Sequence, residues 1–166
     1  MRIVLVHPAG SNWVPGKKDV TPTANRMAPL GILSMAACLE RDGHDVRVHD
    51  GLGPEAPRTP DGHASAILSH APDLVGVSAT TSGFPEGYEL ARRIKRTAPG
   101  TRVVFGGVHV SSLGERLLAD FGEIDFLCLG EGEITLSELA AGNAPSTIHG
   151  LVWRDGGRPA TNPPRG

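Results

Sequence analysis

Residues 103–112 read Val-Val-Phe-Gly-Gly-Val-His-Val-Ser-Ser, a short apolar run that ends in two adjacent glycines. β-Branched and aromatic residues before a glycine pair predict a buried β-strand. Gly106 and Gly107 carry no Cβ atom, so a ligand can come close to the backbone there. Ligands of open parallel sheets bind beyond the carboxyl ends of the strands. The stretch therefore predicts the floor of a binding crevice; the alternative is a plain turn from a strand into a helix.

The composition is that of a single globular domain. A chain of 166 residues can bury a sizeable core, and its net charge of −2 does not favour nucleic acid or an anionic membrane as a partner. The chain opens directly into an apolar strand and has no run of roughly 18 apolar residues, so we expect a cytoplasmic location. Cys38 and Cys128 lie in apolar segments without C-x-x-C spacing. This placement favours two buried structural thiols over a metal or cluster site.

Strand patterns and helix patterns alternate along the chain. The predicted strands are residues 2–6, 44–49, 74–77, 101–105 and 124–129. The predicted helices cover residues 30–41, 61–70 with Asp61 as cap, 85–97, a segment after a capping box at 112–115, and a segment that follows 130–133 and runs through 141. Such alternation predicts an α/β domain with a doubly wound sheet. Right-handed crossovers and short links favour a flavodoxin-like, five-stranded parallel sheet of order 2-1-3-4-5.

The C-terminal segment differs from the rest of the chain. Residues 1–145 are predicted to form the Rossmann-like domain, and residues 146–166 a β-hairpin and a linker. Asp155-Gly156 marks the expected hairpin turn. The Pro-rich stretch 162–166 is typical of a linker. At the other end of the chain, residues 8–28 predict a long polar loop of a kind that is usually functional or mobile.

The expected strand order places a crevice between strands 1 and 3, flanked by the loops after His7 and Ser78. The residues at its rim do not match the common ligand motifs of α/β domains. There is no G-x-G-x-x-G after strand 1, no P-loop, no carboxylate cluster of a phosphoryl-accepting receiver, no hydroxyl-rich flavin loop after strand 1 and no Ser-His-Asp set. The rim offers backbone amides, small hydroxyls and glycines. Such a surface binds a large ligand with polar edges and performs no chemistry itself, so we predict no catalytic residues in this chain.

Five segments follow one another in a specific order. They read P-L-G-I-L-S-M-A-A-C-L at 29–39, D-L-V-G-V-S-A-T-T at 73–81, F-G-G-V-H-V-S-S at 105–112, L-G-E-G-E-I-T-L at 129–136 and I-H-G-L-V-W-R-D-G-G-R at 148–158. This ordered set covers most of the chain and resembles the N-terminal cobalamin (B12)-binding domain of B12-dependent radical SAM proteins. The resemblance implies that a corrin ring lies across the carboxyl ends of the strands, with its nucleotide tail in the groove.

The resemblance also implies which residues hold cobalamin. They are Ser78, Thr80, Thr81, Gly106, Gly107, Val108, His109, Gly130, Glu131 and Gly132. The glycines would let the tail approach the backbone, and the hydroxyls would hydrogen-bond the tail or the corrin amides. For His109, a plain polar turn residue is the alternative. Replacement of Gly107 by valine is expected to fill the groove while the sheet stays folded.

His7 is the candidate cobalt ligand, and its motif is incomplete. Many cobalamin domains carry D-x-H-x-x-G after strand 1, where the histidine binds cobalt and the aspartate orients it. Residues 5–10 read Leu-Val-His-Pro-Ala-Gly, so the histidine and glycine are present and the aspartate is not. A ligating imidazole normally has a carboxylate or carbonyl partner, and the radical SAM branch usually lacks a histidine ligand. We therefore expect a rim or structural role for His7, with metal binding as the alternative.

The catalytic machinery of the resembled enzymes is absent from this sequence. The chain has two cysteines and no C-x-x-x-C-x-x-C motif, so it cannot hold their 4Fe-4S cluster. The resemblance implies a cofactor-binding part of a longer enzyme, often a methyltransferase, with S-adenosylmethionine and the 4Fe-4S cluster in a separate radical SAM domain in cis or trans. The alternative is a non-catalytic flavodoxin-like sensor or interaction domain without cobalamin.

Overall fold

The computed structural model describes residues 1–9 and 28–165. Within these ranges, seven strands form one sheet of order β2-β1-β3-β4-β5-β6-β7. They are β1 (Arg2–His7), β2 (Asp45–Asp50), β3 (Leu74–Ser78), β4 (Arg102–Gly106), β5 (Phe126–Cys128), β6 (Leu151–Asp155) and β7 (Arg158–Thr161). The first five strands are parallel and have the predicted order 2-1-3-4-5, which confirms the flavodoxin-like fold.

The C-terminal hairpin extends this sheet. Strand β6 pairs antiparallel with β5, and β7 pairs antiparallel with β6. The predicted turn position was wrong by one residue, because Asp155 pairs with Arg158 across the ladder. The two turn residues are Gly156 and Gly157, whose φ angles are +54° and +85°. A two-residue turn of this kind needs positive φ at both central positions, and two glycines satisfy this without strain.

Helices cover both faces of the sheet. They are α1 (Leu30–Arg41), α2 (Pro60–Leu68), α3 (Phe84–Thr97), α4 (Val108–Leu113), α5 (Arg116–Asp120) and α6 (Glu133–Ala140). Helices α1 and α6 bury Ile32, Leu39 and Leu139 on one face, in a cluster with Ile3 and Leu5 of β1. Helices α2 to α5 pack on the opposite face, around Val75, Val77, Val103 and Phe105. The core is therefore divided into two layers by the sheet.

Two predicted helix starts were wrong. Helix α4 begins directly after Gly107, and the hydroxyl of Ser112 donates to the carbonyl of Val108 within that helix instead of capping a new one. Gly114, with φ +60°, then separates α4 from α5. Helix α2 is capped by Thr59, whose side chain accepts a hydrogen bond from the Gly62 amide at 3.1 Å, and not by Asp61. A hydroxyl just before Pro60 is the better cap because proline suits the first helical position.

The segment after β7 contacts the rest of the domain. The predicted loop 8–28 lies almost wholly outside the described residues. The predicted linker has no regular structure but is tied to the domain: the Asn162 amide donates to the Pro145 and Ile148 carbonyls, and the Gly150 amide donates to the Pro163 carbonyl. Arg165 forms an ion pair with Glu138 of α6. Among the described helices, none combines the length and apolar character needed to span a bilayer.

Candidate functional site

A groove lies between helices α1 and α6 at the carboxyl end of the parallel strands. Its volume is about 160 Å³. Strands β1, β3 and β4 supply the floor, and the two helices with Cys128 of β5 and the loop between β5 and α6 supply the walls. The lining residues are Leu5, Gly31, Met35, Gly76, Val77, Ser78, Val104, Gly106, Gly107, Cys128, Gly130, Glu131, Gly132, Glu133 and Leu136. The groove therefore occupies the crevice that the sequence predicts.

Missing side chains create this groove. Side chains alternate between the faces of a strand, so Gly76 and Gly106 share the face of Val104, which packs toward α1 and α6. A Cβ atom on Gly76 would lie 2.8 Å from Cδ2 of Leu5, and one on Gly132 would lie 3.0 Å from the sulfur of Met35. The side chains of Leu5 and Met35 therefore already lie where side chains at Gly76 and Gly132 would be, and the two glycines let Leu5 and Met35 line the groove.

The structure brings six of the ten predicted cofactor-binding residues together in the groove. They are Ser78, Gly106, Gly107, Gly130, Glu131 and Gly132. Ser78 and Gly106 are register partners at the ends of neighbouring strands. The Gly130 amide donates to the hydroxyl of Ser111 at 3.0 Å, which ties the loop after β5 to helix α4. The glycine-rich wall is thereby held against the end of β4.

The other four predicted residues lie on the adjoining rim, outside the groove lining. Thr80 accepts a hydrogen bond from the Gly83 amide through its hydroxyl at 3.2 Å, in the turn before α3. Nδ1 of His109 lies 3.2 Å from the Thr81 hydroxyl, and its ring packs 4.6 Å from that of Phe84. Val108, the first residue of α4, is 68% exposed. Thr81, Val108 and His109 are therefore placed to touch a ligand only if it extends across the carboxyl edge of the sheet.

Gly107 does not play the part expected of it. Its φ angle is +97°, and a Cβ atom there would lie 2.8 Å from the carbonyl oxygen of Ala79. The added group would strike the backbone of the neighbouring loop instead of entering the groove. The expectation that Gly107→Val fills the groove is therefore wrong. Gly106 has the required geometry, because its Cβ would meet only ordinary contacts, 3.6 Å from the Cys128 carbonyl.

Polar groups surround the mouth of the groove. The hydroxyl of Ser34 on α1 donates to Oε1 of Glu133 on α6 at 3.0 Å, a hydrogen bond that joins the two walls. Deeper in the wall, burial raises the pKa of the Cys128 thiol to about 11. Cys128 is therefore a neutral thiol near pH 7, in agreement with the predicted structural role. Both cysteines are free, and Cys38 is only half-buried.

His7 has a carboxylate partner that its own sequence motif does not provide. Nδ1 of His7 lies 3.0 Å from Oδ1 of Asp50, its register partner on β2. A carboxylate only accepts, so Nδ1 of His7 is the donor in this pair. Asp50 also accepts a hydrogen bond from the Leu52 amide at 3.1 Å, which fixes its orientation. A residue about forty positions away in the chain thus orients the imidazole.

Sequence reasoning missed the apolar part of the groove. Leu5, Met35, Val104 and Leu136 line it, and the sequence analysis predicts no ligand contact for any of the four. Gly76 was missed as well, although it carried a usable signal. An isolated glycine inside an otherwise apolar strand often marks close approach of another group. The apolar residues carried no such signal, because core residues and groove residues have the same character.

The fold is that of a flavodoxin-like domain, and a groove lies at the carboxyl ends of its parallel strands. Comparison with known families agrees with this class. The family model of the B12 binding domain matches residues 16–140. The chain therefore belongs to the B12-binding domain family, as the ordered motifs predicted.

Several curated proteins are similar to this chain over most of its length. An uncharacterized methyltransferase of Pyrococcus horikoshii is 34% identical over 169 aligned positions, which cover 99% of this chain and 35% of that protein. An anaerobic magnesium-protoporphyrin IX monomethyl ester cyclase of Synechocystis is 31% identical, with 93% of this chain and 31% of that protein covered. A hopanoid C-3 methylase of Methylococcus capsulatus is 32% identical, with coverages of 80% and 24%. The chain thus spans about a third or less of the length of these relatives.

Proposed function

We propose that this chain holds cobalamin for a larger enzyme, with the corrin ring across the carboxyl edge of the sheet and the nucleotide tail in the groove. The observation that carries the proposal is the trough between α1 and α6, whose floor lacks side chains at Gly76 and Gly106. A tail with a flat base needs such a trough, because closely packed interiors leave few voids larger than a water molecule. Membership of the B12-binding domain family supports the same ligand.

The residues around the groove divide into two kinds of contact. Ser78 and the backbone amides of Glu131 and Gly132 lie at the mouth, where they would hydrogen-bond the amides of the corrin periphery and the linker of the tail. Thr81 and His109 on the rim would meet the ring edge. A buried ligand amide without a partner costs about 1–3 kcal/mol, so these polar groups favour the bound orientation. When bound, cobalamin supplies a cobalt centre that can accept and donate a methyl group.

The remainder of the enzyme is inferred from the relatives. Two of the three relatives described above are named as methyl-transferring proteins and one as a cyclase. We infer a radical SAM domain in cis or trans that carries S-adenosylmethionine and the 4Fe-4S cluster. In this proposal residues 1–145 hold the cofactor and residues 146–166 lead toward that domain. A cytoplasmic location, and partners other than nucleic acid or membranes, stay predictions from the composition.

The test is a titration of the purified chain with hydroxocobalamin, followed by visible absorbance. We expect saturable binding at micromolar concentrations for the wild-type chain. Gly106→Leu should weaken binding at least about a hundredfold, because its side chain would occupy the trough that the tail needs. Gly100→Leu is the matched control: Gly100 precedes the same strand at the opposite end of the sheet, and a Cβ there meets no atom within 4 Å. Absence of binding by the wild-type chain would favour the sensor or interaction domain instead.

The His7–Asp50 pair calls for a separate spectroscopic test. Asp50 supplies the carboxylate partner that a cobalt-binding imidazole normally has. If His7 binds cobalt, His7→Ala should change the visible spectrum of the bound cofactor, and Asp50→Asn should weaken the same spectral signature. A spectrum that is unchanged in His7→Ala would assign His7 to the rim alone.

A further inference from the structure

The deep part of the groove is lined by carbon and sulfur. Leu5 and Val104 form its floor beside Gly76, and Met35, Cys128 and Leu136 form its walls. The polar side chains of the lining, Ser78, Glu131 and Glu133, lie at the mouth, where strands β3 and β5 end and α6 begins. The groove therefore changes from polar at its entrance to apolar at its base.

The backbone beneath the groove adds no free polar group of its own. Strands β1, β3 and β4 each have a strand neighbour on both sides, so the amides and carbonyls of Leu5, Gly76 and Val104 lie within ladders of the sheet. The Cys128 thiol stays protonated near pH 7 because burial raises its pKa to about 11. A protonated, buried cysteine behaves as a small apolar residue with only a weak donor. Among residues 1–9 and 28–165, the base of the groove thus has no strong partner for a polar ligand atom.

The size of the groove fits a flat aromatic ring. Its volume is about 160 Å³, and an apolar cavity of about 150 Å³ is known to hold a benzene ring. The trough also has the right shape, since Gly76 and Gly106 flatten its floor while Met35 and Leu136 rise on either side. An aromatic base at the end of a nucleotide tail could occupy this space without displacing a helix.

We propose that this groove selects cobamides whose lower base is an apolar fused ring, such as dimethylbenzimidazole, over cobamides whose lower base is a purine. The inference rests on the proposed function and specifies which class of cobamide that site takes. An adenine base carries an amino group and additional ring nitrogens. These atoms form hydrogen bonds with bulk water, but the apolar residues deep in the groove offer them no partner. Polar atoms that lose water without gaining a partner disfavour binding, whereas methyl groups gain from burial.

The discriminating experiment compares three ligands by equilibrium titration of the same chain: cobalamin, the adenine-containing cobamide and cobinamide, which lacks the base. We expect cobalamin to bind at least about tenfold more tightly than the adenine cobamide. Cobinamide should bind more weakly than cobalamin, because it leaves the groove empty. Equal or tighter binding of the adenine cobamide overturns the inference, and so does equal binding of cobinamide. Failure of all three ligands to bind overturns the proposed function itself, which is a distinguishable result.

A variant pair tests whether the floor sets this preference. Val104→Thr places a hydroxyl in the groove at nearly constant volume, and we expect the ratio of the two dissociation constants to fall by about threefold or more. Val103→Thr is the matched control, because Val103 is buried on the opposite face of the same strand. If Val104→Thr does not fold, Cys128→Ser makes the equivalent change in the wall. A ratio that stays unchanged in folded Val104→Thr or Cys128→Ser protein would contradict the assignment.

Discussion

The two faces of the parallel sheet are formed by the same strands but differ in their side chains near the carboxyl edge. On the face covered by α2 to α5, strands β3 and β4 carry Val75, Val77, Val103 and Phe105, which are all buried. On the face covered by α1 and α6, β3 carries Gly76 and β4 carries Gly106 near the carboxyl ends of the two strands. The first face, here called the closed face, is filled up to the carboxyl edge. The second, here called the open face, is filled only at its amino end.

Glycine serves opposite purposes on the two faces. On the closed face, Gly87 of α3 packs so closely that a Cβ atom would lie 2.9 Å from Cγ1 of Val77 and 3.3 Å from the Phe105 ring. There the missing side chain lets a helix approach the sheet. On the open face, Gly76 and Gly106 face a groove instead of a helix. Of these two glycines only Gly106 leaves its space open to the groove, because Cδ2 of Leu5 lies 2.8 Å from the position of a Cβ atom on Gly76.

The largest expected loss of stability comes from truncating a buried side chain, and one such side chain is compared on each face. Phe105→Ala should lower the free energy of unfolding by about 3–5 kcal/mol, because it leaves a cavity in the closed face. Phe105 is fully buried and contacts the Phe84 ring edge-on. Leu136→Ala should cost nearer about 2 kcal/mol, because it enlarges a groove that already exists. Urea denaturation followed by circular dichroism measures both, and equal losses would contradict the distinction between a filled and an unfilled face.

Gly107 lies at the point where the chain passes from β4 into α4. Gly107→Ala should lower the free energy of unfolding by about 1–3 kcal/mol, because the residue must keep φ near +97° and its Cβ would press on the Ala79 carbonyl. Gly106→Ala is the comparison on the adjacent residue, where the backbone is ordinary and the added Cβ has room. We expect it to change stability by much less. Thermal unfolding of both variants measures whether the positive φ angle at position 107 requires glycine. Equal stability of the two variants would contradict this requirement.

A buried histidine pair gives the closed face a dependence on pH. Nε2 of His49 lies 2.8 Å from Nδ1 of His63, between β2 and α2. Burial, reinforced by the nearby His49, lowers the pKa of His63 to about 4, and burial lowers the pKa of His49 despite the opposing charge of Asp50. The unfolded chain then binds protons more readily than the folded chain below about pH 6.5. The stability contributed by the neutral pair is present above that pH and is lost as the pH falls toward 4.

We expect His63→Gln to reduce this pH dependence. The free energy of unfolding should fall by about 1–2 kcal/mol between about pH 7 and about pH 5 in the wild-type chain, and by less in the variant. The exposed His149 provides the control, since His149→Gln should leave the wild-type profile unchanged. An identical profile in His63→Gln would assign the acid sensitivity to other groups.

The sequence predicted the closed face better than the open one. Alternating strands and helices determine the strand order, and the run that ends in Gly106 and Gly107 located the carboxyl edge of the groove. Leu5, Met35 and Leu136 could not be recognised, since an apolar residue looks the same whether it faces a helix or a groove. The pairing of His7 with Asp50 depends on which strand lies beside β1 and on its register, and no local motif encodes either. The expected capping box at Ser112 failed because Gly107 already begins the helix.

The smallest expected effect concerns the mouth of the open face. Ser34 lies on the exposed surface of α1, between the groove-lining residues Gly31 and Met35, and its hydroxyl reaches Glu133 across the entrance. Ser34→Ala should change the free energy of unfolding by less than about 0.5 kcal/mol, as is usual for an exposed position. If the tail enters between α1 and α6, this hydrogen bond must open first, so its removal should speed association.

Stopped-flow absorbance with cobalamin measures that association. Because this exposed hydrogen bond contributes less than about 0.5 kcal/mol, Ser34→Ala should raise the association rate constant by up to about twofold. Ser112→Ala is the control, because Ser112 is also exposed but bonds only to the carbonyl of Val108 within its own helix. An association rate that rises equally in both variants, or in neither, would mean that the tail does not pass between Ser34 and Glu133. The open face would then be entered from the strand ends alone, over Ser78 and Gly106.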